Sequence, residues 1–492
     1  MKNRRWVDST PRFLGTTRRS ASMVWPDCCM VAPSPELRER IKQELETLRS
    51  TSSSLMATML RAQPRVPIGM NDGLIYPGVS FPLGTAALAV SRAAAERAPL
   101  RGLIRVVVVL VQFSDRAFAQ NNQHYEDMFF SNGVLPNGSV KEYFEEVTNG
   151  LVEIAGEVIG PYTLPRTMAE YANGASGIGE TEPNARSMAR DAAQAANPDV
   201  DFRLYDNDID GFVDAFIVLH AGPGAETTGN AGHIWSHKWV LSGGAYNADG
   251  TNIYAYLTVP EEARIGVCCH ELGHLLFGFP DLYDTDYSSE GVGNWCLMGG
   301  GSWLGGGEVP AHPSAWCKVQ QGWVTVADPR RQSGQQIQDV KVGREVLRLW
   351  GDASPGQEYF LIENRQKTGY DRHIPGDGLL VWHVDDAIPT NSNEVHPKVA
   401  LVQSDGNRDL ENGNNRGDAG DPFPGSSSVT AFASATTPGS NSYAGQDTCV
   451  QVENISVSGP IMTADLTTVC AVEGQGCWQM LTSFIRGLFG QQ

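Results

Sequence analysis

No uninterrupted apolar run in the 492 residues approaches the length of a membrane span, so no transmembrane helix is expected. The longest, residues 106–111 in "RVVVVLVQF", is strand-sized and β-branched, and it reads as a buried strand. Basic residues are scarce. Lys and Arg number 37 against 56 Asp and Glu, for a net charge of −19. That balance argues against nucleic-acid binding as a main role and suits a solvated acidic surface or calcium ligation. The nine cysteines are odd in number and partly adjacent, as Cys28-Cys29 and Cys268-Cys269. They do not form a disulfide framework of the small secreted kind or paired C-x-x-C zinc knuckles. Cys470 and Cys477 are placed to close a small loop in an oxidising compartment. A G-x-S-x-G nucleophile elbow and a G-x-x-x-x-G-K-[ST] phosphate loop are both absent, which removes those routes to acyl and phosphoryl chemistry. The beginning of the chain lacks the apolar core of a secretory signal. It carries Lys2, Arg4, Arg5, Arg12, Arg18 and Arg19 against Asp8, and residues 1–33 are expected to be a disordered basic tail.

Histidine is also scarce, at 10 residues, yet two of them fall in "VCCHELGHLLFGFPDLYDTD" at H-E-x-x-H spacing. On a helix, positions i and i+4 share a face, so His270 and His274 would point at one metal ion. Glu271 beside them can reach a metal-activated water and serve as general base for peptide-bond hydrolysis. Two histidines do not complete a catalytic zinc site. Gly278 can end the helix in a left-handed turn, and the chain then doubles back through Pro280 to offer Asp281. Asp281 is the expected third ligand; Asp284, His312, Glu363 and His383 are its rivals. Met298 lies farther on, in the Gly-rich turn "CLMGGG".

A helix is expected from Pro35, with Ser34 as N-cap and Leu37, Ile41, Leu45 and Leu48 on one face. Residues 34–102 form a pro-segment-like region. From about 103 to 328 strands alternate with helices. "GSVKEYFEEVTNG" carries a capping box at Ser139 and Glu142, and "AFIVLHAGPG" reads as a strand. Residues 329–470 are strand-like pieces separated by Gly, Asp and Pro. A short tail, 471–492, contains an amphipathic stretch.

The segments "HELGHLLFGFPDLYD", "GVGNWCLMGGGSW", "AWCKVQQGWV", "EYFLIENRQ", "IPGDGLLVWHVDD" and "NNRGDAGDPFPG" together resemble the immune inhibitor A-type metallopeptidases, in order, from about residue 70 to about 466. The resemblance implies an α/β fold. Its core is a metzincin-like zinc-protease domain with a mixed sheet and an active-site helix, and a β-rich C-terminal part follows. It implies His270 and His274 as zinc ligands, Glu271 as general base, Met298 as the residue of a methionine turn beneath the metal, and secretion. This sequence departs from the metzincin spacing, which places Gly three and the third ligand six residues after the second His. Phe277 and Pro280 occupy those positions, and neither ligates zinc. Gly278 and Asp281 come one residue later, a shift that a tighter or looser last helical turn can absorb.

"YDNDIDGFVDAF" is a second metal motif. Asp206, Asp208 and Asp210, then Gly211, then the Phe212 carbonyl and Asp214 resemble the first part of a calcium-binding EF-hand loop. Ile217 stands where the closing Glu would be, so the loop is incomplete. Asp405, Asp418 and Asp421 form a less regular acidic set. His233 and His237, also four apart, read as aromatic packing with Trp235 and Trp239. The expected activity is therefore a zinc-dependent metalloendopeptidase acting on protein or peptide substrates, with zinc and calcium as cofactors. The alternative is a catalytically inactive, calcium-stabilised binding protein on a protease-derived fold.

Overall fold

The continuous apolar run of residues 106–111 builds the central layer. The computed structural model describes residues 29–51, 99–350 and 356–470. In it β2 (Gly102–Gln112) sends Val106, Val108 and Leu110 to one face and Val107, Val109 and Val111 to the other, all fully buried. A strand covered on both faces needs no polar side. The sheet contains β1 (Cys29–Met30), β2, β3 (Val152–Thr163), β4 (Phe216–His220) and β5 (His237–Val240). A hairpin of β6 (Tyr246–Ala248) and β7 (Thr251–Ile253) leads to its last strand, β8 (Ala255–Pro260). Its order is β1-β5-β8-β4-β2-β3. β3, β2, β4 and β8 run parallel; β5 is antiparallel to β8, and β1 is antiparallel to β5.

Helices cover both faces. α1 (Pro35–Thr51) starts at Ser34, whose hydroxyl accepts the Leu37 N–H. α2 (Asn122–Phe130) and α3 (Val140–Val147) pack on the face of Val106 and Val108, and α3 opens with the expected Ser139–Glu142 capping box. α4 (Ala185–Ala196), nearly all alanine on its inner side, packs on the opposite face. α5 (Ile265–Phe277) follows β8 and is buried on every side, with His270, Glu271 and His274 among its buried residues. Among the described residues no helix is long and apolar enough to cross a membrane.

Beyond α6 (Ala315–Gln320) the chain becomes β-rich. β9 (Thr325–Ala327), β11 (Glu345–Leu349), β12 (Glu358–Arg365), β13 (Gly378–Asp385) and β14 (Val399–Val402) form one sheet, in the order β14-β13-β12-β11-β9. β10 (Arg331–Gln338), β15 (Gln451–Glu453) and β16 (Ile461–Thr467) form another. Phe360, Ile362, Phe432 and Met462 pack in a core shared by both sheets. Leu361, Leu380 and Trp382 instead share the core of α5. Buried charge reinforces that junction. Lys318 of α6 donates to Glu363 at 2.7 Å, and Arg365 pairs with Glu363 and Asp371. Each member is sealed from water, so removing any one strands its partners as uncompensated buried charges.

Two expectations are corrected. Residues 29–33, expected within a disordered tail, are ordered: β1 pairs with β5, and residues 29 and 31–33 are buried. Cys470 pairs with Cys449 rather than Cys477, at a Cα–Cα distance of 4.8 Å. Cys477, the C-terminal amphipathic stretch and the basic residues before Cys29 lie outside the described residues.

Candidate metal centre and active site

α5 ends in a loosened turn. The Gly278 N–H reaches both the His274 and the Gly273 carbonyls, and Gly278 takes φ 67°. The second of these is an i→i−5 bond, wider than an α-helical one, and it accommodates one more residue than a regular turn. That residue is Phe277, buried against Trp323 and Phe144 with ring centroids 4.9 and 5.3 Å away. The loosened turn brings Asp281 back over the helix. Its Oδ1 lies 3.2 Å from His270 Nε2 and 3.2 Å from His274 Nε2. The two Nε2 atoms are 3.0 Å apart.

Backbone carbonyls set both imidazoles. His270 Nδ1 donates to Leu297 O at 2.9 Å and His274 Nδ1 to Phe279 O at 2.6 Å. A ring that donates from Nδ1 and stays neutral keeps its lone pair on Nε2, the tautomer a metal ligand requires. Burial pushes the His274 pKa down, toward that neutral form. For Asp281, burial pushes upward, but His274 and His270 outweigh it and hold the carboxyl below its ordinary value. Two imidazole nitrogens and a carboxylate oxygen therefore converge on one buried point. The donor set and its spacing fit a tetrahedral zinc with two imidazoles and one carboxylate.

Glu271 lies on the same helix, wholly buried. Neither carboxylate oxygen has a hydrogen-bond partner of good geometry. Burial raises its pKa well above the ordinary value, Asp281 and Glu226 add to this, and the Val31 amide and Lys238 oppose it. Met298 packs under the helix between the histidines. A Cβ on Gly273 would stand 2.8 Å from its sulfur, so only glycine leaves room there. A Cβ on Gly266, two turns earlier, would overlap the Ser302 carbonyl. The glycines let α5 lie flat on the Met298 turn.

The rival third ligands are engaged elsewhere. Asp284 accepts from Ser288 and Ser289, His312 pairs with Glu146 at 2.8 Å, and Glu363 is held by Lys318 and Arg365. His383 pairs with Glu358 and stacks on Tyr443. His233 and His237 do not share a site. His237 bonds Trp235 O and the Tyr256 hydroxyl, while His233 sits beside Thr228.

Among the acidic motifs, ligand atoms of Asp206, Asp208 and Asp210 lie within 4.8 Å of one another, as do those of Asp405, Asp418 and Asp421. Asp214 is not in the first group; its Oδ2 accepts the Asn207 N–H. The Phe212 N–H donates to Asp210 Oδ1. Asp421 reaches the turn that leads to Met298 by accepting the Trp295 indole N–H at 2.9 Å.

The sequence reading missed Cys29 and Tyr283. Cys29 Sγ belongs to a group with ligand atoms of His274 and Asp281, all within 4.8 Å. The Tyr283 hydroxyl donates to the Met30 carbonyl at 2.9 Å. Tyr283 stands two residues after Asp281 and was open to notice; Cys29 sits in a segment with no regular pattern.

Residues 105–326 match the family model described as immune inhibitor A peptidase M6, catalytic domain. Among curated proteins, the chain is 31% identical over 268 residues to a protein named pre-pro-metalloprotease PrtV from Vibrio cholerae serotype O1, covering 44% of this chain and 29% of that one. It is 31% identical over 254 residues to immune inhibitor A from Bacillus thuringiensis subsp. alesti, covering 41% of this chain and 36% of that one. The chain thus spans about a third of the length of these relatives.

Proposed function

Residues 105–326 match the immune inhibitor A peptidase M6 catalytic domain, and from that premise we propose that this chain is a zinc-dependent metalloendopeptidase. In this reading His270, His274 and Asp281 hold the zinc, and Glu271 is the general base. The observation that carries it is the convergence of His270 Nε2, His274 Nε2 and Asp281 Oδ1 within 3.2 Å of one another, beside a buried carboxylate. When bound, zinc supplies a Lewis acid that acidifies water and polarises a carbonyl.

The chain's own groups do the rest. Glu271 takes the proton of the attacking water and passes it to the leaving nitrogen; its burial raises its affinity for that proton. The Leu297 and Phe279 carbonyls keep both imidazoles in one tautomer. Once residues 29–32 leave it, β5 would present a sheet edge to an extended peptide, which would add to it as a strand. The Tyr283 hydroxyl and the Trp235 and Trp303 indoles, which now donate to carbonyls of residues 30–32, would donate to carbonyls of that peptide. The left-handed Gly278 and the Met298 floor support the metzincin-like assignment. Calcium at Asp206, Asp208 and Asp210 would pin the approach to β4, with the Phe212 carbonyl as a further ligand and Asp214 bracing the loop through Asn207. The Cys449–Cys470 disulfide favours an oxidising compartment and so secretion.

The test is casein cleavage by the full chain, before and after limited proteolysis, against Glu271→Ala at saturating zinc. Cleavage by either wild-type form above that control supports the proposal. Equality in both forms overturns it and leaves the inactive binding protein.

A further inference from the structure

The group nearest the metal pocket that the proposed mechanism leaves idle is Cys29. It lies outside the matched peptidase region, yet its Sγ, His274 and Asp281 each offer a ligand atom within one 4.8 Å group. It is 1% exposed.

The segment that carries it is held along its length. Cys29 and Met30 pair antiparallel with Lys238 and His237, and the Val31 N–H continues the ladder to Ser236 O at 3.2 Å. Three successive carbonyls each receive an aromatic donor: Met30 from the Tyr283 hydroxyl at 2.9 Å, Val31 from the Trp235 indole at 2.9 Å and Ala32 from the Trp303 indole at 2.8 Å. Farther on, the Ser34 N–H donates to Glu226 O, and Arg38 donates to Ser289 O and Glu290. An independent observation points to the same place. Glu271 is fully buried with neither carboxylate oxygen in a well-formed hydrogen bond, and β1 packs against the helix that carries it. The segment therefore seals the base from the water it would activate, and it lies where an extended substrate would pair with β5.

A catalytic zinc keeps one position open, whereas a closed site has four protein ligands. His270, His274 and Asp281 provide three. We propose that the Cys29 thiolate is the fourth zinc ligand of a latent form, and that residues 29–51 are an inhibitor built into the chain. This rests on the zinc-peptidase reading above. Coordination replaces the thiol proton with the metal and releases that proton to solvent. Activation then requires Cys29 to leave the zinc, by cleavage of the chain between α1 and β2 or by alkylation of the thiol.

The experiment is zinc K-edge X-ray absorption on the full chain, with zinc content measured on the same sample. Wild type is expected to hold one zinc, with one sulfur scatterer at about 2.3 Å and the remaining ligands nitrogen or oxygen. Cys29→Ser is expected to keep the zinc, lose the sulfur scatterer and cleave casein at least about tenfold faster than untreated wild type, a difference of about 1.4 kcal/mol in barrier. One zinc with only nitrogen and oxygen ligands in wild type overturns the Cys29 assignment and leaves the peptidase reading intact. Zinc far below one per chain overturns both. The wild-type spectrum decides even if the variant does not fold.

Discussion

His270 Nε2 and His274 Nε2 stand 3.0 Å apart in a fully buried pocket. Each ring donates its Nδ1 proton to a backbone carbonyl, which turns both Nε2 atoms toward the same point. Asp281 Oδ1 stands 3.2 Å from each of them. Two imidazole nitrogens and a carboxylate oxygen at that spacing form a donor set for one cation.

Asp281→Ala is therefore expected to lower zinc affinity by at least about 100-fold, because it removes a directly bonding ligand. Asp284→Asn is expected to leave affinity within a few-fold, since that carboxylate is spent on Ser288 and Ser289. Competition with a chromogenic zinc chelator measures both. Equal affinities in the two variants would exclude Asp281 as a ligand.

Glu271→Gln keeps shape and burial but cannot accept the proton. Its kcat on a peptide substrate, in the activated form, is expected to fall by about 100- to 10,000-fold with zinc content unchanged. A parallel loss of zinc would instead make Glu271 a structural partner of the metal.

The acidic loop is expected to bind calcium and stabilise the fold by mass action, about 2.7 kcal/mol at a hundredfold excess over Kd. Differential scanning calorimetry should show Tm rising with calcium in wild type and a smaller rise in Asp208→Asn. An identical response in both would place the stabilising ion elsewhere, with the Asp405, Asp418 and Asp421 group the next to substitute.

Burial lowers the pKa of both His220 and His237 to about 4 from an ordinary 6.5. Each is neutral in the fold and protonates more readily when unfolded. Their contribution is complete above pH 6.5 and is lost as pH falls toward 4, on the order of 3 kcal/mol for each group. Urea unfolding at constant ionic strength should show that loss, and His237→Gln should reduce it. A flat profile across the window would show that these histidines titrate normally.

Much of this was legible in local pattern. The β-branched apolar run of residues 106–111, the Ser139–Glu142 box and the i, i+4 histidines are short-range signals, and each reports one element. Asp281 was legible because the Gly278 turn is also local, although how Phe277 is absorbed needed the observed i→i−5 bond. Long-range pairings were not. Cys449 and Cys470 meet across a separation of 21 positions that includes β15 and β16. Cys29 reaches His274 only because β1 adds to β5, and a two-residue strand leaves no periodicity to read. The junction of Lys318 with Glu363 was hidden for the same reason, and Glu363 seemed as free to bind metal as to pair.

The most direct test of the central claim is anomalous diffraction from crystals of the full chain, collected on both sides of the zinc edge. The account predicts one zinc peak within ligand distance of His270 Nε2, His274 Nε2 and Asp281 Oδ1. A fully occupied zinc elsewhere, or no peak at that point from zinc-replete protein, would contradict it.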